Sequence, residues 1–142
     1  STKIDAPENL YKIKNKRNIY MAAHSNPTQN NYGRFAFYAV DGKENTYKIY
    51  SYDAGLWLTY TKASGYNNGM NFVTFASKQV DANEWYVAKA SNGYYQVAPY
   101  NTAGVAGKYW NFFGGIDKVY YSYDDLLSIF FFRSSRANQK TP

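Results

Sequence analysis

Apolar and polar residues alternate in short runs along the chain, each run closing on Gly, Asn or Asp, and this period of two predicts strands and tight turns. Leu10-Tyr11-Lys12-Ile13-Lys14 is the first run, Asn15-Lys16-Arg17-Asn18 predicts its turn, and Ile19-Tyr20-Met21-Ala22-Ala23 predicts the returning strand. Residues 24–33 read as loop, and Phe35-Ala36-Phe37-Tyr38-Ala39-Val40 predicts a strand closed by Asp41-Gly42. The opening then returns: Tyr47-Lys48-Ile49 repeats Tyr11-Lys12-Ile13, followed by the turn Asp53-Ala54-Gly55 and the apolar run Leu56-Trp57-Leu58-Thr59-Tyr60. Asn71–Phe75 and Glu84–Val87 predict two more strands. A third start stands at Tyr94-Tyr95-Gln96-Val97, with Asn101–Gly104 as its turn and Lys108–Phe113 as its second strand. Val119-Tyr120-Tyr121 and Leu126–Phe132 end the pattern. Only Ala76–Lys89 carries weak helical periodicity, and its Val80, Trp85 and Val87 fit a strand equally well.

The three starts at Tyr11, Tyr47 and Tyr95 mark one repeated unit with loops of unequal length. At two junctions an aromatic strand, a Gly-containing turn and a Tyr-x-(Ile/Val) strand follow in the same order, which predicts hairpins linking successive units. A unit of two short hairpins leaves one side apolar and wet, so three units gain by burying those sides together, and closing strands into a barrel removes exposed edges. The patterning alone leaves an ordinary β-sandwich open as the alternative. The expected architecture is all-β: a lead-in segment over residues 1–9, one domain of three four-strand units over 10–134, and a basic tail over 135–142.

Composition sharpens this. The 142 residues suit one domain with its own core. Aromatic residues make up 20% and charged residues only 18%, a balance that favours strands over surface helices. The absence of cysteine excludes a disulfide framework and any thiolate metal or redox site, and no apolar run reaches the roughly 18 residues of a membrane-spanning helix. The chain opens on Ser1-Thr2-Lys3 without Met, as a chain trimmed of a leader or a preceding part would. A net charge of +6 admits anionic partners, and its clustering matters more than its size. Lys12, Lys14, Lys16 and Arg17 form one basic group, and Arg133, Arg136 and Lys140 another; they make a single strip if the first strand lies beside the tail.

The chain resembles the ricin-type β-trefoil lectin domains, in the loose form attached to bacterial secreted or surface proteins, over about residues 9–134. The resemblance rests on Tyr47-Lys48-Ile49, Asp53-Ala54-Gly55 and Leu56-Trp57-Leu58, which match the opening of that family's unit, and on Asn83-Glu84-Trp85, which matches its closing Gln-x-Trp. Phe35-Ala36-Phe37 and Asp125-Leu126-Leu127 stand at the other two closings. The resemblance implies a β-trefoil fold, an extracellular or cell-surface setting, and a non-catalytic module that binds a glycan or glycoprotein without a cofactor. Active members carry a sugar-contacting Asp just after the second strand. Here those places read Met21-Ala22-Ala23, Leu58-Thr59-Tyr60 and Phe112-Phe113-Gly114, so the usual galactose site is not expected.

A sugar site needs a flat aromatic face beside amides or carboxylates. The second unit offers Trp57, Tyr66, Asn67 and Asn68 with Asp53; the third offers Tyr109, Trp110 and Asn111; the first offers Tyr32 with Arg34. Alternation sets Leu56, Leu58 and Tyr60 on one face of their strand and Trp57 on the other. With the leucines facing inward, Trp57 is expected to face solvent and to lead the ligand contacts. The second partner class is an acidic polymer or a protein, bound by the basic, tyrosine-rich surface. Catalysis has little to stand on: His24, the one histidine, has no carboxylate nearby in sequence, and Asp124-Asp125 or Asp53 with Glu84 read as turn and surface acids rather than a glycosidase pair.

Overall fold

The computed structural model describes residues 9–16, 18, 20–21, 33–62, 71–100, 110–112, 119–120 and 126–134. Among them lie ten strands: β1 (Asn9–Asn15), β2 (Phe35–Ala39), β3 (Thr46–Ser51), β4 (Leu56–Lys62), β5 (Asn71–Ala76), β6 (Trp85–Lys89), β7 (Tyr95–Pro99), β8 (Asn111–Phe112), β9 (Val119–Tyr120) and β10 (Leu127–Ser134). No α-helix occurs among the described residues. The weakly helical stretch over 76–89 resolves into one 3-10 turn, Gln79–Asp81, ahead of β6.

Six strands close into a barrel. They run in the order β2-β1-β10-β7-β6-β3, and β2 also pairs with β3, so every strand of the ring has two neighbours and none presents an open edge. The hairpin β4–β5 extends from β3, and β9 and β8 continue that sheet.

One register recurs around the barrel. Asn15 stands opposite Leu127, Ser51 opposite Phe35, and Pro99 opposite Trp85. Two residues up each pair, Ile13 faces Ile129, Ile49 faces Phe37, and Val97 faces Val87; two further, the tyrosines 11, 47 and 95 face Phe131, Ala39 and Lys89. The backbone repeats as well. Met21 N donates to Ile13 O at 2.8 Å and Trp110 N to Val97 O at 2.7 Å, while Gly33 N donates to Met21 O and Asn83 N to Leu58 O, both at 3.0 Å.

These equivalences organise the core. Its buried cluster consists of Ile13, Ile49 and Val97, of Phe35, Trp85 and Leu127, of Met21, Leu58 and Trp110, and of Val73. Nine of the ten therefore occupy recurrent places, and each large apolar side chain so buried is worth about 1.5–3 kcal/mol. The residue in the register place of Trp85 is Phe35, so Gly33-Arg34-Phe35, and not Phe35-Ala36-Phe37, is the segment that corresponds to Asn83-Glu84-Trp85. The strand expected over Ile19–Ala23 is present as an isolated bridge between Lys14 and Tyr20; Ile19, Ala22 and Ala23 lie outside the described residues.

Candidate functional site: two cation–tyrosine clusters

Strand β3 ends at Ser51, and the next four residues turn the chain into β4. Gly55, at φ +69°, takes a left-handed conformation that favours glycine, and its N–H returns to Ser51 O at 2.8 Å. This turn presents Tyr52 and Asp53 beside the start of β2. Arg34, the residue before β2, accepts the Tyr52 N–H on its own carbonyl at 2.9 Å. Its backbone N–H donates to Asp53 Oδ2 at 2.8 Å, and its Nε lies 3.0 and 3.1 Å from the two carboxylate oxygens, with Nη2 also donating to Oδ1. The guanidinium lies over the Tyr52 ring, 5.2 Å from its centroid. Hydrogen bonding to Asp53 raises the Arg34 pKa above its ordinary value, against the opposing effect of burial.

A second cluster occupies the matching register place. Tyr100 follows β7 as Tyr52 follows β3, and its N–H donates to Glu84 O at 2.8 Å, Glu84 being the residue before β6. Lys43, from the β2–β3 turn, donates to Glu84 Oε1 and sits 4.4 Å from the Tyr100 ring centroid. Both clusters thus join a tyrosine, a cation over its ring and a carboxylate. Tyr52 and Tyr100 are 38% and 41% exposed, so both rings present area to solvent.

The structure brings Arg34 and Asp53 together although they were expected in different sites. It overturns the expected exposure of Trp57, which is only 2% exposed. Trp57 does lie on the strand face opposite Leu58, but that face is covered as well: the rings of Tyr50 and Tyr38 stand 4.8 and 5.4 Å from it. Trp110 is fully buried and stacks edge-to-face on Trp85 at 5.1 Å, so it too belongs to the interior. Asn111 forms part of β8. Tyr32, Tyr66, Asn67, Asn68 and Tyr109 lie outside the described residues, as do His24, Asp124 and Asp125. Sequence reasoning missed Tyr52, Tyr100 and Lys43. The available signal was a tyrosine directly after two of the three repeated strands.

No family model, curated protein or solved structure matches the chain. Among the described residues, no group of three or more His, Cys, Asp or Glu is placed to hold a metal ion, and no helix is long and apolar enough to cross a membrane.

The aromatic box around Trp57 contains one strained polar atom. The Tyr38 hydroxyl is buried and has no hydrogen-bond partner among the described residues, and burial, reinforced by Tyr50, pushes its pKa above 10.0. The unfolded chain then loses this proton first, so Tyr38 withdraws stability as pH rises above 10.0 and stops doing so beyond its higher folded value. Tyr38→Phe is expected to leave neutral-pH stability unchanged or raise it by up to about 1 kcal/mol. It should also flatten the alkaline limb of a stability-versus-pH curve followed by urea unfolding. A loss above about 1 kcal/mol would mean that the hydroxyl is in fact satisfied.

Proposed function

We propose that the chain is a β-trefoil carbohydrate-recognition module without catalytic chemistry, and that Tyr52, Arg34 and Asp53 form its sugar contact. The fold half of this reading is supported by the threefold recurrence of register and core residues and by two backbone hydrogen-bond patterns that each occur twice, as three related units around a common axis would produce. The sugar half keeps the resemblance to ricin-type domains but moves the contact away from the place where their Asp is missing.

The observation that carries the binding reading is the convergence of Tyr52, Arg34 and Asp53 at the end of β3. A pyranose has one apolar C–H face and a rim of hydroxyls. An exposed phenol ring covers the former, while a guanidinium donor beside a carboxylate acceptor meets adjacent hydroxyls on the latter. The Arg34–Asp53 pair fixes both groups before binding, so less side-chain freedom is lost when a ligand arrives. Being partly exposed, the pair itself adds no more than about 1 kcal/mol to folding.

A glycan array read at low and at physiological salt tests this. Retention of a neutral glycan is expected at both salts, because the contact uses stacking and hydrogen bonds rather than net charge. Tyr52→Ala should weaken retention roughly two- to tenfold with an unchanged unfolding midpoint, since its ring lies outside the core. Absence of glycan retention at both salts, with capture of a protein or nucleic acid instead, would remove the proposal.

A further inference from the structure

The register repeat of the barrel brings one strand end against the start of its neighbour in the same way at Ser51 with Phe35 and at Pro99 with Trp85, and all four residues are buried. One step beyond these pairs stand Tyr52 with Arg34 and Tyr100 with Glu84. In each case the tyrosine N–H donates to the carbonyl of the charged residue across the pair, at 2.9 and 2.8 Å. The backbone therefore holds both tyrosines by one rule, and each is more than a third exposed.

The charges around the two rings come from opposite sources. Beside Tyr52 the cation, Arg34, precedes the strand, and the carboxylate, Asp53, comes from the turn that follows the tyrosine. Beside Tyr100 the carboxylate, Glu84, precedes the strand, and the cation, Lys43, arrives from the turn between β2 and β3. A repeat copied residue for residue would keep each charge at its own place. What the two places share is the trio itself: a ring, a cationic donor and a carboxylate acceptor. The groups of the second trio are open to a ligand, with the Lys43 and Glu84 side chains 35% and 30% exposed. Among the described residues Lys43 Nζ donates to Glu84 Oε1 alone, which leaves further N–H groups and the second carboxylate oxygen for hydroxyls. Because Glu84 balances the Lys43 charge, the trio suits a neutral polyol better than an anion.

We infer that Tyr100, Lys43 and Glu84 form a second contact for a neutral pyranose, so that the chain engages two sugar units at once. The inference rests on the reading of the Tyr52 trio as a sugar contact and extends it to a site on the neighbouring hairpin. The Tyr100 ring covers the C–H face of the sugar, while Lys43 donates to one hydroxyl and Glu84 accepts from the next. The two trios share no residue, so each binds by itself, and a glycan or glycan-coated surface long enough to reach both is held by two contacts in place of one.

Amide NMR of the whole chain, titrated with the methyl glycosides of glucose, galactose and mannose, reads the two contacts separately. With at least one of these sugars, two groups of shifting amides are expected, one around Tyr52 and one around Tyr100. Tyr100→Ala should weaken binding at the second group roughly two- to tenfold and leave the first group as in the parent, which also reports that the variant is folded. Lys43→Gln keeps the ring and withdraws the charged donor, and it should weaken the second group alone; Tyr100→Phe, which keeps the ring, should retain it. Tyr52→Ala should do the converse, weakening only the first group. Shifts confined to the Tyr52 group, and unmoved by Tyr100→Ala and Lys43→Gln, would overturn this inference while leaving the Tyr52 contact in place. A Tyr100 group without a Tyr52 group would keep this site and defeat the other. Absence of shifts with all three sugars would overturn it as well, the glycan array then deciding the Tyr52 contact.

Discussion

Trp85→Ala is expected to lower folding stability by about 3–5 kcal/mol, the range for emptying a buried tryptophan site, seen as a fall in the urea midpoint at unchanged slope. The residue is fully buried, and its indole N–H donates to Leu58 O at 3.3 Å. Its ring meets Trp110 edge-to-face at 5.1 Å and Tyr60 at 6.2 Å. One side chain therefore connects barrel strand β6 to hairpin strand β4 and to the residue leading into β8. Truncation removes those contacts and also leaves the Leu58 carbonyl without this donor. Because a domain of ordinary stability holds only about 5–15 kcal/mol, the variant should be partly unfolded near body temperature. A loss below about 1 kcal/mol would mean that the barrel interior is not built around this ring.

Trp57→Ala should behave alike, with a stability loss of about 3 kcal/mol or more, while the molecules still folded retain glycan as the parent does. Trp57 is closed in by Tyr50 and Tyr38 on the outer side of the barrel, and Tyr50 is its direct partner across the β3–β4 pair. A variant with parental stability and lost glycan retention would return the ring to the surface. Measuring both properties on the same protein separates an aromatic that supports the fold from one that contacts a ligand.

The Trp57 case shows where reading the sequence stops. Alternation states which residues share a strand face, and Trp57 does oppose Leu58. It cannot state that the second face is also covered, because the covering rings come from β2 and β3 and are brought there by register. The strands and hairpins themselves were legible because local signals set them: Asp41-Gly42 between β2 and β3, and Asn92-Gly93 between β6 and β7, each with positive φ at its glycine. The recurrence of Ile13, Ile49 and Val97 was legible for the same reason, and all three are fully buried in one cluster. The Arg34–Asp53 pair was not, since its partners are separated along the chain and meet only once β2 has paired with β3. Both residues had been singled out for their chemistry, but their shared site follows from the fold.

Barrel closure at β1 and β10 has a kinetic consequence. The five other seams of the ring link segments closer in sequence, whereas this one joins the first described strand to the last. Loop-closure entropy must be met before such a distant pairing is rewarded. During synthesis the segment around Ile13 has to wait, with its greasy side uncovered, until Ile129 has left the ribosome.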